Sequence, residues 1–324
     1  MTNIAEKTEY LILILFLTIS FTWSQDTRSL DSLTTVDVLD SLLIDHDRTN
    51  YSFRLFSNFK SQRFRFAGSN FSREYTPNNR AGLGFGVASD KLLIDIAFNI
   101  KSKDKEPTDR FDMRVNYKWQ KHFIDFFFQY YKGFNVTGDM NLGSTFRSDV
   151  ISIASGINYL YLFNEDKFQV GTLRSVISEP DKTDFSYGVG GFLLFLDQEG
   201  NRPFLDGSAF NQGQKTFLTG MGGGVLTGVG GLFSMGSNFY SSISVNAGLG
   251  LMHKNINGHN EIESSSNPLV YQVNSVAVLG YVRNKFYLNL SFELGFYETE
   301  ILSNIDESIW ISQAKLAFGF KPFN

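Results

Sequence analysis

The chain has 324 residues, a formal net charge of -4, no cysteine, 33 Phe, 29 Gly and only 6 Pro. So mild a charge supplies no field for a polyanion, which excludes nucleic acid as a partner, and the lack of cysteine excludes a disulfide-stapled fold. Past the N-terminus no run approaches the roughly 18 apolar residues of a membrane helix, which excludes a helical bundle in the bilayer.

In chain order, Lys7 precedes the uncharged "YLILILFLTISFT" (10–22), and small Thr22 and Ser24 stand at cleavage-site spacing before Gln25. The run is shorter than the roughly 20 residues that cross a bilayer, so residues 1–24 read as a secretory signal peptide. Its loss removes Glu6, Lys7 and Glu9, taking the charge from -4 to -3. Residues 25–48 form a polar tail on the periplasmic side, with Leu30, Leu33, Leu39, Leu42 and Leu43 loosely at helical spacing. The tail reads as a partly ordered leader, or as a docking helix.

Residues 49–324 follow a different pattern. In "RFDMRVNYKW" (110–119), Phe111, Met113, Val115, Tyr117 and Trp119 alternate with Arg110, Asp112, Arg114, Asn116 and Lys118. Strict alternation describes a strand with one apolar and one polar face. It recurs at 92–100, 149–163, 239–251, 286–296 and 310–320. A mean hydropathy of -0.13 suits a soluble protein and equally a barrel that averages lipid-facing with lumen-facing residues.

The connections separate the two cases. Tight turns are expected at Ser89-Asp90, Trp119-Gln120-Lys121, Asn164-Glu165-Asp166, Met235-Gly236-Ser237 and Arg283-Asn284. Longer polar loops are expected at 101–108, 133–145, 254–267 and 298–307. Short turns on one rim and long loops on the other are the stringing of an outer-membrane barrel. Tyr117, Trp119, Phe123, Tyr161, Phe163, Phe168, Tyr281 and Phe286 flank the tight turns and form the expected aromatic girdle. The fold expected is therefore all-β: a transmembrane antiparallel up-and-down β-barrel of about 12 strands, within a range of about 10–14. Residues 185–196 also alternate but would make the strand number odd. Either "PFLDGSAF" (203–210) supplies a partner strand, or 185–196 belongs to an outer loop or the lumen; the count of about 12 adopts the second.

On the polar faces, Asp95, Arg110, Asp112, Arg114, Lys118, Asp125 and Glu293 are expected to line the lumen. Among the six at 95–125 both signs are nearly balanced, which favours charge pairs that fill the interior over an ion-selective field. "GMGGGVLTGVGG" (220–231) lacks the Gly-Lys-Ser/Thr ending and the strand-turn-helix setting of a phosphate loop, and reads as a glycine-rich barrel strand. The histidines, His46, His122, His253 and His259, have no metal-site spacing, so no metal or other cofactor is expected. The loop "MHKNINGHNEIESSSNP" (252–268) holds His259 beside Ser264, Ser265 and Ser266, the ingredients of a lipid hydrolase, but without a recognisable motif.

Two stretches, "REYTPNNRAGLGFGVASDKLLIDIAF" (73–98) and "FIDFFFQYYKGFNV" (123–136), resemble a Bacteroidetes-type family of predicted outer-membrane barrel proteins, domain of unknown function 4421. The resemblance runs from about Asp40 to the C-terminus and implies the barrel fold without bringing any catalytic residue. The last strand, "KLAFGFKPFN", carries Leu316, Phe318, Phe320 and Phe323 and resembles the closing strand read by insertion machinery, departing from it at Pro322 and Asn324. The expected protein is an exported, non-enzymatic outer-membrane barrel with a structural, scaffold or narrow-pore role. Its expected partners are outer-membrane lipids and, during insertion, the barrel-assembly machinery. A small-solute channel and a lipid hydrolase are the alternatives.

Overall fold

The computed structural model describes residues 51–69, 72–89, 92–100, 107–138, 145–163, 183–202, 204, 216–259, 261–263, 267–302 and 305–322. All of these belong to the unit Asp47–Asn324. The expected signal peptide and polar tail lie outside the described residues.

Every described element is a strand. The first four are β1 (Ser52–Gly68), β2 (Ser72–Thr76), β3 (Ala81–Ala88) and β4 (Leu92–Asn99). Then come β5 (Asp109–Trp119), β6 (His122–Gly138), β7 (Thr145–Leu162), β8 (Asp184–Gly200) and β9 (Thr216–Gly236). The chain continues with β10 (Phe239–His259), the short β11 (Glu261–Glu263), β12 (Leu269–Arg283), β13 (Phe286–Leu302) and β14 (Ile305–Phe320). Antiparallel pairing runs β10-β12-β13-β14-β1-β3-β4-β5-β6-β7-β8-β9 and returns from β9 to β10, a closed ring of twelve strands. Closure leaves no bare sheet edge, the condition for a sheet to cross hydrocarbon.

The outward face settles the direction of the alternation. Leu55 and Val225 are each 69% exposed, and Phe53, Phe85, Leu193, Leu294 and Phe318 are also exposed. A continuous belt of this kind cannot be left in water and is the lipid-facing band. On β13 it runs from Phe286 to Phe296 before Glu298 and Glu300 take over the outward positions. At a rise of about 3.4 Å and a tilt near 45°, that stretch spans roughly 24 Å, the height of the apolar band of such barrels.

Aromatic side chains mark both ends of the band. At the turn rim, Trp119 stacks on His122 at 5.6 Å, Tyr161 meets Phe163 at 5.7 Å and Phe239 meets Tyr281 at 4.8 Å. Phe286 contacts Phe320 at 5.2 Å on the same rim. At the far end, Phe111 touches Phe98 and Phe128, and Phe296 packs on Trp310 at 4.4 Å. Arg63 lays its guanidinium 5.5 Å from the Trp310 ring, a cation held at headgroup level.

Several expectations need correction. Phe123 does not belong to the girdle: it is 6% exposed and sits inside the barrel. Trp119 pairs with His122, so His122 takes the outward position and Phe123 points inward. Residues 185–196 are neither loop nor plug but part of β8, hydrogen-bonded to β7 and β9 in the wall. The turn expected at 164–166, and Phe168 with it, lie outside the described residues. β7 and β8 pair directly in the wall, with 163–183 between them in the chain. At the far rim, much of the expected loop sequence is strand. β13 runs to Leu302, β14 starts at Ile305, β6 reaches Gly138 and β10 reaches His259. Polar alternation does not end a strand that has left the lipid; it continues the ladder in water.

The ring also changes size along its height. Above the band, β2 pairs with the upper part of β1 on one side and with β6 on the other. There β2 alone replaces β3, β4 and β5, so the ring drops from twelve strands to ten. A bulge at Gly133 (φ 89°) bends β6 where this happens. Polar side chains close the step: Asn99 Nδ2 donates to the Thr108 carbonyl at 2.6 Å, and Thr108 Oγ1 donates to the Gly133 carbonyl at 2.7 Å.

Inside, large rings fit over glycines of the neighbouring strand. A Cβ at Gly280 would fall on the Tyr240 ring, and one at Gly319 on the Tyr287 ring. Tyr240 and Tyr287 are each 1% exposed, with hydroxyls bonded to Asn289 and Ser52. Gly280→Val is expected to destabilise the barrel by about 1–3 kcal/mol through overpacking. Combined with Tyr240→Ala it should cost less than the sum of the two single changes, measured by urea unfolding in detergent. Strict additivity would show that ring and glycine do not meet.

Candidate functional site: the barrel interior

The polar faces of six strands meet in one ion cluster. Arg54 of β1 grips Asp95 of β4 through two nitrogens, and Lys315 of β14 reaches the same carboxylate at 2.9 Å. Lys315 also lies 3.9 Å from Glu293 of β13, whose other oxygen is 2.6 Å from Arg114 of β5. Arg114 holds Asp125 of β6 with bonds of 2.8 and 2.7 Å, and Asn116 adds a third donor at 2.6 Å. Three cations thus face three carboxylates. Asp95, Asp125, Glu293, Arg54 and Lys315 are buried and Arg114 is half-buried.

A second group adjoins the first. Lys60 lies 2.6 Å from Asp112, and Arg110 lies 3.0 Å from the same carboxylate. Arg110 also donates to Asn58 at 2.7 Å and to the Arg80 carbonyl at 2.8 Å. Lys118 is half-buried near the turn rim, opposite Phe123 across the β5–β6 pair. Six of the seven lumen residues named from the sequence, all but Lys118, therefore join one of these two groups. Arg54, Lys60 and Lys315 were not among them. Each occupies the polar parity of its strand, so alternation could have found them; their partners could not be read from parity.

Toward the far rim the interior turns apolar. Phe64 stacks on Tyr75 at 4.5 Å and meets Phe134 at 5.1 Å, while Phe66 packs on Phe204 at 5.8 Å. Phe64, Phe66, Tyr75, Tyr131 and Phe134 are fully buried. Phe204, the described residue of 203–210, is no partner strand: it fills the interior, its carbonyl accepting from Tyr75 Oη and Arg73 at 3.0 Å each. This aromatic layer lies where the ring has narrowed to ten strands.

Above Trp310, outside the spanning part, Glu307 is 1% exposed and accepts a hydrogen bond from Gln198 Nε2. Burial pushes its carboxyl up to about 7, against the opposing Gln198 bond and Lys254 charge. The unfolded group titrates near 4.5, so between 4.5 and about 7 the folded state keeps a proton that the unfolded chain has released. Stability should therefore fall as pH rises through that window, by on the order of 3 kcal/mol in all. Glu307→Gln should flatten the dependence, seen as equal urea midpoints at about pH 5 and about pH 8. An unchanged pH profile would place the effect on another group.

Among the described residues no group of three His, Asp or Glu side chains could hold a metal ion. Residues 264–266 lie outside the described residues. The family model for a domain of unknown function (DUF4421) matches residues 38–321, and the chain belongs to that family. No curated protein matches it in sequence. Among solved structures, the chain is similar to the outer membrane protease OmpT from Escherichia coli, at 9% identity and a TM-score of 0.40, covering 85% of this chain and 98% of that one. It is also similar to the COG4313 outer membrane channel from Pseudomonas putida F1, at 9% identity and 0.37, covering 86% and 100%. The β domain of the Bordetella autotransporter BrkA gives 11% identity and 0.38, covering 83% and 98%.

Proposed function

We propose that this member of the DUF4421 family is exported behind a cleaved signal peptide and resides in the outer membrane of a Gram-negative cell as a closed, non-enzymatic barrel with a structural or scaffold role. The observation that carries the closed reading is the aromatic layer of Phe64, Tyr75, Phe134 and Phe204 across the narrowed ring, backed by the paired charges beneath it. Cations and carboxylates that neutralise one another give a permeant ion neither a binding ring nor a free path. The lipid-facing belt and its aromatic borders support residence in a bilayer. The apolar outward face of β14, with Leu316, Phe318 and Phe320, supports recognition by barrel-assembly machinery. Refolded protein in a planar bilayer should pass no stepwise current. Regular single-channel steps from the unaltered protein would overturn the closed reading in favour of a narrow pore.

A further inference from the structure

The two ion groups of the interior do not balance. Three cations face three carboxylates in the first, but in the second Lys60 and Arg110 share the single carboxylate of Asp112. Taken together, five cations meet four carboxylates, a surplus of one positive charge. All of these side chains but Arg114 are buried, and an uncompensated charge away from water is costly.

The surplus gathers around Asn58. Lys60 is the next inward residue on β1, and Lys315 of β14 stands directly opposite Asn58 in the ladder. Arg110 passes over Gly82 and donates to Asn58 Oδ1 at 2.7 Å. That bond fixes the amide, because the reverse orientation would set its NH2 group against the guanidinium. Asn58 is 3% exposed, and its Nδ2 finds no acceptor among the described residues. The Lys60 ammonium carries three protons and bonds one described group, Asp112 Oδ1. Around Asn58, donors therefore outnumber acceptors just as positive charges outnumber negative ones.

Asn58, Lys60 and Lys315 line one cavity of about 20 Å³, room for a guest the size of a water molecule. Asp95 and Asp112 line it too, but each already meets two cations, Arg54 with Lys315 and Lys60 with Arg110. We propose that this cavity binds one monatomic anion of the halide class, chloride or bromide. Asn58 Nδ2 and Lys60 Nζ donate to it, and its charge completes the balance of the interior. A water molecule fits the same space and can donate to Gln129 Oε1, an unbonded acceptor of the lining, but it leaves the surplus charge uncompensated. Polyatomic anions are too large. The proposal rests on the barrel interior alone, so a conducting barrel would sink the closed reading and leave this site standing.

The test uses bromide and chloride with the refolded full-length barrel in detergent. Crystals grown in sodium bromide should show an anomalous peak within hydrogen-bonding distance of Asn58 Nδ2 and Lys60 Nζ. In urea, at constant ionic strength with gluconate as the replacing anion, the unfolding constant should fall as chloride rises. The fall should approach tenfold for each tenfold rise above the dissociation constant of the site. Asn58→Asp places a carboxylate where the halide sits and should abolish both the peak and the chloride dependence. Should that variant not fold, Lys60→Met removes the surplus cation and should do the same. An unaltered barrel with no anomalous peak in the cavity, or with no chloride dependence, would overturn the proposal in favour of a water molecule or an uncharged lysine. A chloride dependence that persists in full in both variants would mark a general salt effect and overturn it as well.

Discussion

Asp95→Ala is expected to destabilise the barrel by about 3–5 kcal/mol, the cost of removing one partner from a buried ion pair. The magnitude follows from what remains. The Arg54 side chain is 0% exposed and that of Lys315 5% exposed, and both rest on this one carboxylate. Glu293, at 3.9 Å, is too far to take over Lys315 without rearrangement. The remaining cations would stand side by side in a water-poor interior, each lacking its nearest counter-charge. Urea unfolding in detergent micelles, read from tyrosine and tryptophan fluorescence, gives the comparison. Arg54→Met together with Asp95→Leu should recover part of the loss, because a matched apolar replacement leaves less uncompensated charge than a half-removed pair. A loss below about 1 kcal/mol for Asp95→Ala would mean that water reaches the cluster and that the interior is wetter than its burial indicates.

Val115→Arg should cost roughly 2–4 kcal/mol if the position lies near the bilayer midplane, and less toward either rim. Val115 pairs with Ile94 and Phe126 in the outward parity, whereas Arg114, one residue away, pairs with Asp95 and Phe127 in the inward one. Replacing Arg114 by Ala strips Asp125 and Glu293 of their guanidinium and could cost a similar amount, so energies alone do not separate the two faces. Spin labels at the two positions do. A label at 115 should be broadened by a lipid-soluble relaxant and a label at 114 shielded from it. The same response at both positions would contradict the alternation on which the barrel is built.

Parity was the part of the fold most legible in the sequence. From Phe286 to Phe296 the even residues are Phe or Leu, and that alone assigns the strand and its lipid face. Phe123 was placed in the girdle because it flanks a tight turn, although it shares the parity of Asp125, which was expected in the lumen and lies there. Strand ends above the membrane were hidden because polar alternation at 298–307 resembles a loop when nothing apolar marks it. Phe185 to Leu196 were set aside because they would have made the strand number odd, yet they belong to β8, paired with β7 and β9 in the wall. The ion cluster was legible as a set of residues but not as a set of pairs. Asp95 and Lys315 are 220 positions apart and meet because of where β14 closes on β1 and how the strands are staggered around the ring. Stagger is a property of the closed barrel that no single strand encodes. The notches at Gly280 and Gly319 were hidden for the same reason, since a glycine acquires its meaning from the ring on the next strand.

The step from twelve strands to ten bears on how the narrowed rim would respond to protease. In a barrel narrowed by a folded-in loop, clipping that loop frees the passage. Here Phe204, from the connection between β8 and β9, adds to the aromatic layer, but the ring itself is narrowed by backbone pairing, with β2 held between β1 and β6 over Ser72–Thr76. Cutting within 139–144 or 101–106 removes covalent continuity without removing a rung of that ladder. Protein nicked there should therefore conduct no more than intact protein, and widening the mouth would require β2 to unzip from both neighbours together.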